Sequence, residues 1–238
     1  FRNVSRSELY GNAFLHFSGR KLLRNHQKKI LQKMKYVLIL MISALFTSCV
    51  SQAQKEEITA SQKFQKELNA EYKNPKTTPL RGDDFTNFTE HPFFPINLKY
   101  RVSAKLTRAE NAVPFELPTS SGKTKTYQEY GKVSFVLEGK ELMLTLYQSL
   151  ALSQQSGYED YLFLPFRDAT NEMETYGGGK YMDLKIPAGD TIILDFNKSY
   201  HPYCAYNAYD YNCPIVPAEN ILPVRIEAGV KYEDVYHH

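Results

Sequence analysis

Val133-Ser134-Phe135-Val136-Leu137, then Glu138-Gly139-Lys140, then Glu141-Leu142-Met143-Leu144-Thr145-Leu146-Tyr147 reads as two strands joined by a tight turn. Apolar side chains recur at every second position on both sides of the turn. A strand with one face on a core requires that period. Gly139 is free to take the positive φ of a hairpin turn.

Working outward, Tyr100, Val102, Ala104 and Leu106 alternate in the same way. Further strands are expected at Tyr161 to Leu164, Tyr181 to Ile186, Thr191 to Phe196 and Leu222 to Ile226. Twelve glycines, twelve prolines and eighteen tyrosines fit many turns and half-buried strands better than a helical bundle. Few gaps are long enough for the helical crossovers that a parallel sheet needs. The expected fold is therefore mainly β, a single-domain antiparallel β-sandwich or partly open β-barrel with a short N-terminal helix. That helix is read over Ile58 to Tyr72, where Phe64, Leu68 and Tyr72 recur every four residues. Asn74-Pro75 and Thr78-Pro79 end it, because proline lacks a donor and pushes its predecessor out of helical geometry.

The N-terminal region reads as an export signal. Met34 to Phe46 has a short basic start and an apolar core, too short to span a bilayer as a permanent helix of about 20 residues. Thr47 and Ser48 lead into Cys49, a pattern that resembles the lipobox of bacterial lipoproteins, in which the cysteine thiol is acylated. Two acyl chains give stable anchoring. The expected organisation is an upstream extension outside the mature protein over residues 1–33, a signal peptide over 34–48, a lipid-anchored tether over 49–57 and the β-rich domain over 58–238.

Such processing would change the charge. The whole chain carries 29 Lys+Arg against 26 Asp+Glu, but nine of the basic residues and only Glu8 among the acids fall in the first 48 residues. Residues 49–238 are therefore net acidic. With no basic stripe interleaved with aromatics, a nucleic-acid partner is not expected.

Several long motifs occur in a specific order: Phe93-Phe94-Pro95, Tyr100-Arg101-Val102, Tyr161 to Asp168, Thr175-Tyr176-Gly177-Gly178-Gly179-Lys180-Tyr181 and Asp195-Phe196-Asn197. The segment from Tyr203-Cys204-Ala205-Tyr206 through Cys213-Pro214 to Glu219-Asn220 continues the series. Together they resemble the DUF1684 family over most of Phe64 to Tyr232. The resemblance implies no reaction, since the family is a domain of unknown function. With this leader it implies an exported lipoprotein of the kind found in Bacteroidota. Lys180 stands where the family usually has Arg, and His201 where it usually has Asn. A lysine is a point charge without the bidentate fork of a guanidinium.

Cys204 and Cys213 form an even pair in an oxidising compartment, so a disulfide is the leading expectation, contributing on the order of 2 to 3 kcal/mol by closing a short loop. Free buried thiols, or a metal site of both cysteines with His201 and Asp195, are the alternatives. Irregular spacing gives the metal reading little support, and neither a metal nor any other cofactor is expected. Tyr200, Tyr203, Tyr206, Tyr209 and Tyr211 crowd the same loop and offer flat faces with polar tips to a ligand, or plug the open end of the fold. Arg167, Asp168, Tyr176, Lys180, Asp195, Asn197, Tyr200, Tyr203 and Asn220 are the candidate ligand-binding residues. Asp195, Asn197, Arg167 and Asp168 also suit local turns, which Asp and Asn make by bonding the following backbone. Gly177 to Lys180 lacks P-loop spacing, Arg81-Gly82-Asp83 reads as a solvated turn, and neither Gly-x-Ser-x-Gly nor His-Glu-x-x-His occurs. The favoured function is a periplasm-facing binding module for a small molecule, glycan or envelope protein. A hydrolase of envelope material, or a structural lipoprotein, is the alternative.

Overall fold

The computed structural model describes residues 52–233, 235 and 236, with Lys33 and Lys35. Cys49 and nearly all of the signal segment lie outside the described residues. The domain is mostly β: one antiparallel sheet curls into a half-barrel, preceded by a helix, α1, described over residues 52–73. Its described part reaches six residues ahead of the expected start at Ile58. Those residues, Gln52-Ala53-Gln54-Lys55-Glu56-Glu57, hold good helix formers but no large apolar residue, so they carry propensity without periodicity. No helix among the described residues is long and apolar enough to cross a membrane.

A short helix α2 (Gly82–Asn87) covers the Arg-Gly-Asp turn. The strands follow as β1 (Arg101–Arg108), β2 (Phe115–Pro118), β3 (Thr124–Leu137) and β4 (Lys140–Ser149), a helical turn α3 (Leu150–Ser153), then β5 (Tyr161–Phe166), β6 (Lys180–Lys185) and β7 (Thr191–Asp195). The order across the sheet is β6-β5-β4-β3-β1-β7, with β2 added to β3. The hairpin that decides the fold is β3–β4. Leu137 pairs with Lys140, and Glu138 and Gly139 both have positive φ, as a two-residue turn matching strand twist requires. After β7 the chain crosses to the opposite edge, where Tyr181 and Tyr200 exchange backbone hydrogen bonds of 2.8 and 3.0 Å. The two edges of the curl are thus tied at one point.

Leu222 to Ile226 is not a strand. Leu222, Val224 and Ile226 do alternate into the core, but they line up beside the connection after β5 without a ladder. Leu222 N donates to Arg167 O, Ala169 N to Val224 O, and Ile226 N to the carboxylate of Asp168. Alternation reports burial, and here a side chain replaces a strand as the partner.

β3 contains a bulge: Glu129 pairs with Tyr147 and Gly131 with Leu146, leaving Tyr130 as an extra residue. Gly131 is required there, because a Cβ would stand 2.5 Å from Thr107 O on β1. Beyond the bulge Val133, Phe135 and Leu137 join the inner core with Leu142, Leu144, Leu146, Leu162, Leu164, Phe166, Met182 and Leu194. Before it, Tyr127 joins Tyr147, Phe163, Tyr181 and Val216 on the outer face. That second apolar surface positions the site.

Candidate functional site

On the outer face of β3 to β6, rings stand where most half-barrels meet water. Tyr161 and Phe163 of β5 and Tyr181 of β6 point outward, opposite Leu162, Leu164 and Met182. The roof over them is the segment after β7, and α1 supplies one wall through Phe64, Leu68 and Glu71. Between sheet, helix and roof lies a cavity of about 450 Å³, within the size range of small-molecule sites.

The roof holds its shape through Cys204 and Cys213, which are joined as a disulfide with Cα atoms 6.1 Å apart. Ser120 Oγ donates to Cys204 Sγ, and Cys213 N donates to Ser120 Oγ, which ties the bridged loop to the turn after β2. The tyrosine cluster divides three ways. Tyr200, Tyr203 and Tyr211 line the cavity, Tyr206 is buried against α1, and Tyr209 is exposed.

Asp183 of β6 is the charged group set into this aromatic lining. Its Oδ1 accepts hydrogen bonds from both Tyr161 and Tyr200 hydroxyls, each 2.7 Å. The carboxylate is accessible from the cavity although protein atoms crowd it on most sides, and loss of water pushes its pKa above the ordinary aspartate value, against the pull of the two hydroxyls. The rings around it meet nearly at right angles: Phe163 with Tyr181 at 83°, Tyr181 with Tyr200 at 85°. The other lining carboxylates are occupied. Glu71 accepts the Tyr203 hydroxyl, and Asp210 is held by Arg81 and the Asn207 amide. Lys125 is the lining cation, and partial burial lowers its pKa.

Of the residues singled out from sequence, Tyr200 and Tyr203 line this cavity. The others are placed elsewhere, at five separate positions. Lys180 and Asp168 form a fully buried ion pair, Nζ to Oδ2 2.8 Å, on the inner side of β6. Lys180 also donates to Ile226 O, and Asp168 Oδ1 accepts from Thr170 N and Ile226 N. The lysine beside three glycines therefore holds the core rather than facing a phosphate. Asp195 and Asn197 close the end of β7: Asp195 accepts from Ser61 of α1 and from Asn197, and Asn197 exchanges hydrogen bonds with the backbone of Asn97. Asn220 bonds Thr145 N, Thr145 O and Pro165 O, pinning its loop across β4 and β5. Arg167 pairs with Glu172 at the surface. Tyr176 lines a separate depression with Thr175, Gly177 and Tyr232.

His201 belongs to a buried aromatic cluster under α1. Tyr176 N approaches His201 Nε2 at 3.4 Å, so Nδ1 carries the proton toward the Tyr206 hydroxyl, and that hydroxyl points on to His91 Nδ1. Tautomers here are inferred from hydrogen-bond direction. Burial drives the His91 pKa down to about 3 and that of His201 well below its ordinary value. Among the described residues no group of three or more His, Cys, Asp or Glu side chains can hold a metal ion.

Sequence reading missed Asp183, Tyr161, Phe163, Tyr181 and α1's Phe64 and Leu68 as one constellation. A signal was present. In Tyr161-Leu162-Phe163-Leu164 both parities are apolar, which marks a strand covered on both faces. In Tyr181-Met182-Asp183-Leu184 the aspartate shares its face with Tyr181.

Fold and site together define a half-barrel with an aromatic cavity beneath a disulfide-closed loop. The chain belongs to the DUF1684 family, a protein family of unknown function, whose model matches residues 86–231. It is similar to the solution NMR structure of an uncharacterized protein of Haloarcula marismortui, with a TM-score of 0.61 and 29% identity over 78% of this chain and 99% of the other. No curated protein matches.

Proposed function

We propose that this protein is an exported lipoprotein, anchored through Cys49 with its domain facing the periplasm, and that the half-barrel binds a small molecule in the cavity beneath the Cys204–Cys213 loop. The observation that carries the binding reading is the cavity itself: about 450 Å³, walled by rings of Phe64, Tyr127, Phe163, Tyr181 and Tyr200. Aromatic walls with a few placed polar groups are the usual make-up of a ligand pocket. A concave, partly enclosed space suits a small molecule better than a flat protein surface. The three lining carboxylates each bond separate protein partners rather than one another, which supports binding over acid–base hydrolysis by a converging pair. The anchoring reading rests on the apolar run Met34 to Phe46 followed by Thr47-Ser48-Cys49.

Leu152 of α3 lines the cavity, and Leu152→Trp fills it from the side. In a thermal-shift screen of small molecules, ligands should raise the Tm of the native chain by mass action and leave that of Leu152→Trp unchanged. Equal shifts in both proteins would overturn the assignment of the site. Cys49→Ser should leave an unprocessed precursor without lipid. An unmodified N-terminus elsewhere, found by mass spectrometry, would overturn the anchor.

A further inference from the structure

We infer that the cavity selects an organic cation, a protonated amine whose ammonium group sits between the Asp183 carboxylate and the surrounding tyrosine and phenylalanine rings. The inference rests on the cavity being a ligand site and adds the chemistry of what enters it.

The first ground is an uncompensated charge. Asp183 forms no ion pair with any described Lys, Arg or His, and its hydrogen-bond partners are the hydroxyls of Tyr161 and Tyr200, both on Oδ1. Oδ2 has no hydrogen-bond partner among the described protein groups, and the side chain is exposed. An accessible carboxylate without a counter-charge, set beside aromatic walls, attracts a cation. The second ground is the lining. With Asp210 neutralised by Arg81, Glu71 and Asp183 stand against Lys125, so the walls keep a negative balance that disfavours anions.

The third ground is ring geometry. Tyr181 stands nearly perpendicular to both Phe163 and Tyr200, with centroids 4.7 and 6.1 Å apart, and Tyr203 and Tyr211 meet at 70°. Rings packed edge to face line the cavity with aromatic surface, and the negative face of an aromatic ring attracts a cation. The tyrosine hydroxyls donate toward Asp183 and so orient their dipoles to support its charge. A primary ammonium fits better than a quaternary one, because it can also donate to Oδ2.

The test uses four probes of one shape on the native chain by isothermal titration calorimetry: phenethylamine, its trimethylammonium analogue, 2-phenylethanol and 3-phenylpropionate. The amine should bind at least about tenfold more tightly than the alcohol, the quaternary probe should fall between them, and the carboxylate should bind most weakly. Asp183→Asn keeps an acceptor for both tyrosine hydroxyls and removes the charge. It should bring the amine to the affinity of the alcohol while leaving the alcohol unchanged. Equal binding of amine and alcohol by the native chain overturns the cation inference and leaves the ligand-site reading standing, with no need for the variant to fold. Binding of all four probes that survives in Leu152→Trp overturns the site. No binding by any probe at millimolar concentration overturns both.

Discussion

On the inner face of β6, Lys180 reaches Asp168 at 2.8 Å with both side chains fully buried. Three residues on, on the outer face, Asp183 has two tyrosine hydroxyls and no counter-charge. One strand thus serves an ion-paired, buried acid on one side and carries an exposed one without a counter-charge on the other. The inner pair is knit into backbone: Lys180 bonds Ile226 O and Asp168 takes two amides, so the segment carrying Leu222 to Ile226 is fixed without a ladder. The outer acid fixes no backbone at all. A buried charge paired within the protein serves the fold, whereas an accessible carboxylate without a counter-charge leaves a place for a ligand.

The contrast can be broken most forcefully from the inner side. Lys180→Ala removes the partner of a buried carboxylate and should cost roughly 3 to 5 kcal/mol, seen as a large drop in the urea midpoint. A loss below about 1 kcal/mol would mean that the pair contributes little to holding the fold. The next effect acts on the outer side. Cys204→Ser with Cys213→Ser should cost about 2 to 3 kcal/mol, and amide exchange should rise around Tyr203 to Asn212 while protection near Lys180 persists. Equal loosening on both faces would show that the two sides of β6 do not behave as separate regions.

A third test uses pH. His91 and His201 are held neutral by burial, and positive Lys180 adds to the effect at His201. Their folded pKa values lie below the unfolded value, so protons bind the unfolded chain preferentially. Stability from this source is fully present above about pH 6.5 and falls as pH drops toward about 3. The slope is at most about 1.4 kcal/mol per pH unit for each histidine. Urea midpoints at pH 7, 6 and 5 measure it, and His201→Asn should flatten the slope. A pH-independent midpoint over that range would contradict neutral burial. The smallest effect is the most telling. Asp183→Asn should leave stability unchanged or raise it by under about 1 kcal/mol, since solvent reaches the carboxylate through the cavity. A marked loss would recast Asp183 as a structural acid like Asp168.

How much of the molecule was legible in its sequence depends on which interactions leave a local trace. The β3–β4 hairpin did, because alternation and Gly139 sit within a few residues of one another. The segment Leu222 to Ile226 gave the same alternation without being a strand, since burial sets the pattern whether the backbone partner is a ladder or the carboxylate of Asp168. Residues Thr124 to Glu129, the first half of β3, escaped notice because they are largely polar and only Tyr127 is buried. At the site, the tyrosine loop and its two cysteines were visible as a cluster. Asp183 was not, because its surroundings are contributed by α1, β3, β5 and the roof, far apart in sequence. Lys180 and Asp168 attracted attention as charges near glycines and prolines, and only tertiary structure shows them facing each other.

The bulge at Tyr130 has an evolutionary side. Tyr127 and Val133 are both odd-numbered, yet one faces the cavity and the other the core. A single extra residue changes parity midway, so the two halves of β3 answer to different selection: ring chemistry above, packing volume below. Sequence drift in the upper half can retune what the cavity accepts without touching the core. A one-residue deletion at Tyr130, however small on paper, would swap the two tasks along half the strand.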